Sequence, residues 1–306
     1  MALIKSISEL RKYAKISAAK DWDTYSMFVE DAQEKYLEPY FGFELLESLE
    51  NVPDDPLFVR MCRALGPFSL ALATDEMSIQ FGETGHTVAR TDSLAPASDA
   101  KIEKARESLF SRGWNNLEKA IKYVREHAAT YELWNESDFY KQLTTLLFDG
   151  PESFQDNGVV NIDYSAITFF MLRQIIMRVE ISETLTFLPQ ESRDLVMNNQ
   201  LDQLPKTIID AMQAYTASRV AQIYTSSKTL EQQTKGDFSK FKPVIRPLYD
   251  DVPDSGNFFE QQSQYWRSEI MNQLVSSSLV VEDYRQLKFN NSTRKIFVAG
   301  ASREEL

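Results

Sequence analysis

LIKSISELRKYAKISAAKDWDTYSMFVEDAQEKYL, residues Leu3–Leu37, has an echo 144 positions later in LFDGPESFQDNGVVNIDYSAITFFMLRQIIMRVEI, residues Leu147–Ile181. Leu3, Ile4 and Leu10 fall on Leu147, Phe148 and Phe154. Tyr25, Met27, Phe28, Ala32 and Leu37 fall on Phe169, Met171, Leu172, Ile176 and Ile181. Identities are few, but the apolar register holds without a gap. Within each copy, positions 25, 28, 32 and 169, 172, 176 are spaced i, i+3, i+7, which is one face of a helix. The pattern predicts an all-α chain made of two tandem helical bundles that arose by internal duplication.

Working outward, Ser8 caps a short helix Ser8–Lys15, and Asp21 or Asp23 caps a helix Trp22–Tyr36 that Pro39 and Gly42 end. Phe43–Leu49 is a brief helix. Asp54 or Asp55 caps a long helix that opens on Pro56, runs to about Phe81 and is apolar nearly all round. Gly66-Pro67 should kink or break it. Gly82–Ala97 is a long excursion, with a hairpin expected around Thr87-Val88-Ala89. The next helix starts near Ser98 or Asp99 with a face of Ile102, Ala105, Leu109, Leu117, Ile121 and Val124, interrupted locally at Gly113-Trp114. Tyr131, Trp134, Phe139 and Tyr140 close the first core.

The second half repeats the order. Ile162–Ile181 answers the Trp22 helix, Pro189–Met197 answers Phe43–Leu49, and Pro205 opens a long helix as Pro56 does. The excursion Ser226–Gly256 follows, then a helix with Phe259, Trp266, Ile270 and Leu274 on one face. Three regions result: 1–145 with the loop 82–97, 146–278 with the loop 226–256, and a C-terminal arm, 279–306, without a counterpart. The arm contains a helix candidate Val281–Leu287 and the extended run Lys295-Ile296-Phe297-Val298. Both loops are expected to protrude and to contact other chains.

A chain of 306 residues, 43% hydrophobic and 25% charged, has the composition of an ordinary globular protein of roughly two domains. Nothing approaches about 18 consecutive apolar residues, and the first twenty residues lack the apolar centre of a secretory signal, so no membrane span is expected and a cytoplasm-like compartment is the default. Cys62 is the single cysteine, which excludes an intrachain disulfide and a cysteine zinc site, and its apolar neighbours predict a buried thiol. A formal net charge of −12 argues against gripping nucleic acid over a large surface, yet suits a surface that DNA passes without sticking.

No strong catalytic signature is present. Glu30, Glu34 and Glu38 share one helix face, but a di-metal bundle site also needs Glu-x-x-His on partner helices, and the one such spacing, Glu83–His86, lies in a glycine-containing loop; the row reads as a solvated face. His86 and His127 are the two histidines, and there is no nucleophile elbow, phosphate loop or dinucleotide fingerprint. Asp250, Asp251 and Asp254 read as a turn cluster, since the ordered glycine and distal glutamate of a calcium loop are missing. Lys101, Lys104, Arg106 and Arg112 alternate with Glu103 and Glu107, the pattern of a salt-laced exposed helix. Neither a cofactor nor enzymatic activity is expected.

The opening Leu3-Ile4-Lys5-Ser6-Ile7-Ser8-Glu9-Leu10, the run Phe28–Gly42 and Leu133-Trp134-Asn135-Glu136-Ser137 resemble a family of virion-associated proteins encoded by tailed phages and prophages of gut bacteria. That family is similar in layout to the helical head–tail connector, or adaptor, proteins. The second copy departs from it, with Phe187-Leu188-Pro189 where the first has Tyr40-Phe41-Gly42. The resemblance implies a structural virion protein at the head–tail junction, present in the host cytoplasm during assembly. Its partners would be the portal or other neck and tail proteins and copies of itself in a ring, with genomic DNA passing nearby. A monomeric helical interaction module is the alternative. The expected contact residues are Glu83, His86, Val88 and Arg90 in the first excursion, Phe241, Val244 and Arg246 in the second, and Lys295, Ile296, Phe297 and Val298 in the arm.

Overall fold

The computed structural model describes residues 2–16, 21–77, 80–82, 85–87, 99–226, 237–248 and 255–277. The chain is all-α, as its periodicity predicts. Thirteen α-helices are described, besides two 3-10 turns at Thr184–Phe187 and Leu201–Gln203: α1 Ile7–Tyr13, α2 Ser26–Tyr36, α3 Glu38–Phe41, α4 Phe43–Leu49, α5 Pro56–Met77, α6 Asp99–Glu126, α7 Glu132–Asn135, α8 Asp138–Lys141, α9 Pro151–Gln155, α10 Ala166–Ser182, α11 Gln190–Met197, α12 Lys206–Ser226 and α13 Ser255–Ser276. Among the described residues, strands are confined to two small antiparallel ribbons. β1 Gln80–Gly82 pairs with β2 Gly85–Thr87, and β3 Val160–Asn161 pairs with β4 Arg246–Pro247. The described chain divides into two compact units. The first takes 2–143, 165–170 and 237–243, and the second takes 144–164, 171–226 and 244–277.

In the first unit, α5 packs along α6 and α2 packs against α5. Asp55 caps α5, its Oδ1 accepting from the Leu57 and Phe58 amides at 2.7 and 3.3 Å. The α1 cap is Ser6 rather than Ser8: Ser6 Oγ accepts from the Glu9 amide at 3.2 Å, and Glu9 reaches back to the Lys5 amide. Gly42, at φ +78, ends α3 in a conformation that only glycine adopts without strain.

Neither of the two helices expected to be interrupted is broken. Helix α5 runs unbroken through Pro67. Proline lacks the amide that would donate to the carbonyl four residues back, which belongs to Arg63. Asn116 Nδ2 of α6 donates to that carbonyl at 3.0 Å and replaces the missing bond. Helix α6 likewise runs unbroken through Gly113. A Cβ placed on Gly113 would lie 2.6 Å from two carbons of the Phe68 ring, so glycine is there to let that ring reach the α6 backbone. Phe68 cannot easily retreat, since Tyr36 stacks on it at 4.2 Å and Trp114 meets it edge-on at 5.0 Å. Gly66 does the same for α1, where Tyr13 Cβ would stand 2.9 Å from an added Cβ.

In the second unit α12 packs along α13, as α5 does along α6 in the first. Phe259, Ile270 and Leu274 of α13 and Ile208, Met212 and Val220 of α12 are buried. Burial follows the 144-position register closely. Leu3, Ile4, Leu10, Tyr25, Phe28 and Ala32 are buried, and so are their six counterparts. Met27 and Met171 are both about half exposed, at 51% and 46%. Of the eight aligned apolar pairs one departs: Leu37 is buried and Ile181 is exposed. The indole nitrogens of Trp114 and Trp266, in the helices that follow the two excursions, are buried and find no hydrogen-bond partner among the described residues.

Glu180 on α10 is fully buried. Its carboxylate accepts from Thr145 Oγ1 at 2.7 Å and from the Leu146 and Leu147 amides at 3.2 and 3.0 Å. These bonds tether the segment that opens the second unit. Desolvation outweighs the three donors and raises the carboxyl above its ordinary value.

Gly113→Ala would stabilise an ordinary helix interior by about 1 kcal/mol. Here it should destabilise by about 1–3 kcal/mol, because the ring must move out of a packed cluster. A urea-unfolding midpoint reads the sign, and a stabilised variant would mean that Phe68 yields freely. For Glu180, the folded chain binds more protons than the unfolded one between the ordinary value of 4.5 and the raised folded value. Stability from this group therefore falls as pH rises through that window. Relative to Glu180→Gln, the wild type should gain stability on acidification from neutral pH toward 4.5, and parallel pH profiles of the two proteins would refute the assignment.

Candidate functional site

Several expected contact residues fall outside the described residues: Glu83, Val88 and Arg90 of the first excursion, Lys295–Val298 of the arm, and the helix candidate Val281–Leu287. His86 is on β2, opposite Phe81 in the backbone register. The hairpin turns between Gly82 and Gly85 rather than around Thr87-Val88-Ala89. Turn chemistry at the paired glycines governs its position, since they tolerate the backbone reversal that β-branched residues resist.

Phe241, Val244 and Arg246 are described, and two of them pack within the protein where contacts with other chains are expected. Residues 237–248 lie along the chain itself. Asp237 Oδ1 accepts from the Ser239 hydroxyl and amide, a side-chain-closed turn that, with Lys240 Nζ at 3.3 Å, holds the carboxyl below its usual range. Lys242 Nζ sits 4.7 Å above the Phe238 ring. Phe241 meets Trp114 edge-on at 5.4 Å, extending the aromatic cluster of the first unit. An aromatic side chain in a turn-rich segment buries itself where an indole face is open, and that attraction overrides the loop composition.

In the second unit, β4 pairs with β3, and the Leu248 amide donates to the Val159 carbonyl at 3.2 Å. Arg246 Nη2 donates to Asp163 Oδ1 at 2.5 Å. Asp163 and its neighbour Tyr164 both adopt left-handed backbone, at φ 55 and 53. Asn161 Oδ1 takes the Asp163 amide at 2.8 Å, and the buried Gln155 takes those of Ile162 and Tyr164 at 3.0 and 2.8 Å. Two consecutive strained residues cost about 1–3 kcal/mol each and persist where the surroundings over-determine them. The result is a rigid corner that presents Tyr164, 48% exposed, and Val244, 43% exposed. Of the three described residues, Phe241 and Arg246 hold the chain's own structure, and Val244 is free to meet a partner. Tyr164 was not singled out from sequence; Asn157-Gly158 signals a turn there, but the strain at 163–164 depends on Gln155.

Glu118 is the other residue that sequence reading missed. Its Oε1 accepts from Ser165 Oγ at 2.5 Å and from the Ile167 amide at 3.2 Å, so it caps the start of α10 inside the first unit. Burial raises its carboxyl and, together with this charge, pushes the Tyr40 phenol up to about 12. A carboxylate whose lone pairs are engaged by a helix start acts as an anchor, not a base. Cys62 is fully buried, and burial pushes its thiol up, which removes its nucleophilicity at neutral pH. His127 is exposed and stacks on Tyr123 at 4.1 Å. Glu30 and Glu34 are exposed on α2. Among the described residues, no three His, Cys, Asp or Glu side chains converge to hold a metal ion. Pro56–Thr74 is long and apolar enough to resemble a membrane span, but Leu57, Met61, Leu65 and Phe68 are buried within the first unit. The geometry described offers packing surfaces and a rigid corner.

DUF6712, a family of unknown function, matches residues 23–143, a stretch that begins just before α2 and ends just after α8. No curated protein and no solved structure matches the chain significantly.

Proposed function

We propose that the chain is a structural component of a tailed-phage virion, an adaptor at the head–tail junction that assembles with copies of itself and with portal or neck proteins. The observation that supports this reading best is the layout of the first unit. A tightly packed helix pair, α5 and α6, is separated by an excursion that carries the β1–β2 hairpin in an otherwise helical bundle. The connector-like proteins that the sequence resembles are helical bundles with a long protruding loop, and the resemblance is strongest over 3–42 and 131–176, on either side of this pair in the sequence. Met27 and Met171 add two half-exposed methionines at equivalent register positions, soft apolar groups suited to contacts between chains. The acidic chain, at −12, lets DNA pass without adhering.

Removing residues 82–97 should leave helicity and thermal unfolding nearly intact while abolishing incorporation into particles, measured by mass spectrometry of purified virions. Unfolding on deletion would assign the segment to the core, and normal incorporation would refute the adaptor reading. Light scattering of the full chain with its portal should show a species of many times 35.2 kDa, whereas a lone 35.2 kDa species in the portal's presence favours a monomeric module. Phe241→Ala should lower stability by about 1–2 kcal/mol, less than a fully buried phenylalanine, because the ring is half-buried on Trp114. An unchanged unfolding midpoint would mean that the Phe241–Trp114 contact does not anchor this segment.

A further inference from the structure

The outer seam between α5 and α6 contains a groove of about 320 Å³. Arg60 and Arg63 line it from α5, and Lys119 and Lys122 line it from α6, with Glu126 as its one carboxylate. Lys122 reaches Glu126 at the 4.0 Å limit of an ion pair. Arg60, Arg63 and Lys119 pair with no carboxylate among the described residues. On a chain whose charge is −12, four cations gathered around one concavity are a local inversion of the surface.

The groove is also held in shape. Arg60 donates to the Pro56 carbonyl at 3.0 Å, and its guanidinium lies 4.0 Å from the Tyr123 ring centre. Tyr123 in turn stacks on His127. Asn116, a further lining residue, is fixed by its bond to the Arg63 carbonyl. The backbone that carries Arg63 is thus pinned to α6, and the Arg60 guanidinium is held over an aromatic face. Fixing cations before a ligand arrives reduces the ordering cost of binding.

We propose that this groove binds a small phosphoryl ligand, of the size and charge of a diphosphate. Two guanidinium forks suit the bidentate geometry of phosphate oxygens, and two ammonium groups add point charge. A single carboxylate would neutralise only a third of the groove's excess charge, whereas a diphosphate matches it. The volume, about 320 Å³, is at the lower end of ligand pockets, about 300–1,000 Å³, and accommodates a ligand of diphosphate size. The negative charge of the rest of the protein opposes a long polyanion such as DNA.

Calorimetric titration of the full chain with pyrophosphate at low salt tests this. Binding should weaken steeply as salt is raised, and Arg63→Ala/Lys119→Ala should weaken it at least about tenfold. Both side chains are exposed, so the variant should keep the wild-type circular dichroism and unfolding midpoint. Lys101→Ala/Lys104→Ala, on the salt-laced end of the same helix, should change the affinity less than about twofold. Three results would overturn the proposal: no pyrophosphate binding, equal losses in both variants, or preferential binding of duplex DNA or of a glutamate-rich peptide with the same sensitivity to Arg63 and Lys119.

Discussion

The contact between the Phe68 ring and the Gly113 backbone fixes how closely α5 and α6 approach, and most of the first unit is arranged around that distance. The ring occupies the space where any other residue would carry a Cβ. Tyr36 of α2 stacks on its free face, Trp114 closes its edge, and Phe241 then finds the side of Trp114. Three turns of helix away from any loop, the Asn116 amide can reach the Arg63 carbonyl only because the backbones are this close. A proline and a glycine, both helix-breaking by propensity, are tolerated in the two longest helices of the unit because each is compensated by the partner helix.

The second unit shows which parts of this plan are general. Its long pair, α12 and α13, follows the same order of elements, and its buried positions follow the same register as far as Ile176. Polar bonds are prominent in its core. Thr184 and Thr216 hydrogen-bond at 2.8 Å in full burial, and Glu183 takes both the Tyr215 hydroxyl and Arg219 at 2.8 Å. Polar pairs of this kind depend on direction as well as distance, so they fix register more than they add stability.

Much of the fold was legible because it rests on local rules. The Asp55 cap, the Phe43–Leu49 helix and the buried Cys62 follow from spacing and turn chemistry alone. What sequence could not disclose depends on groups distant along the chain. Gly113 reads as a break unless Phe68 is known to lie across from it. Glu118 and Glu180 read as solvated acids unless the amides of 167 and 146–147 are known to face them. The Ser6 cap was within reach, since Ser6-Ile7-Ser8-Glu9 is a capping box, and the choice of Ser8 overlooked the glutamate three residues on. The place of residues 237–243 in the first unit is equally hidden, because the proline and glycine content around them speaks only of a loop while Phe241 packs on Trp114, more than a hundred residues away. The cations of the α5–α6 groove were invisible because Arg60 and Arg63 come from one helix and Lys119 and Lys122 from another.

The first unit includes residues 165–170 and 237–243, far beyond its last contiguous residue at 143. A ribosome therefore delivers α1–α8 long before the pieces that complete their packing. Until Ser165 emerges, Glu118 is a carboxylate facing no helix start, and until Phe241 emerges, one side of Trp114 has only solvent to meet. During synthesis at about 5–20 residues per second, the nascent first unit waits several seconds in this unfinished state. The two units are consequently not independent products of translation: the earlier one matures only when most of the later one has been made.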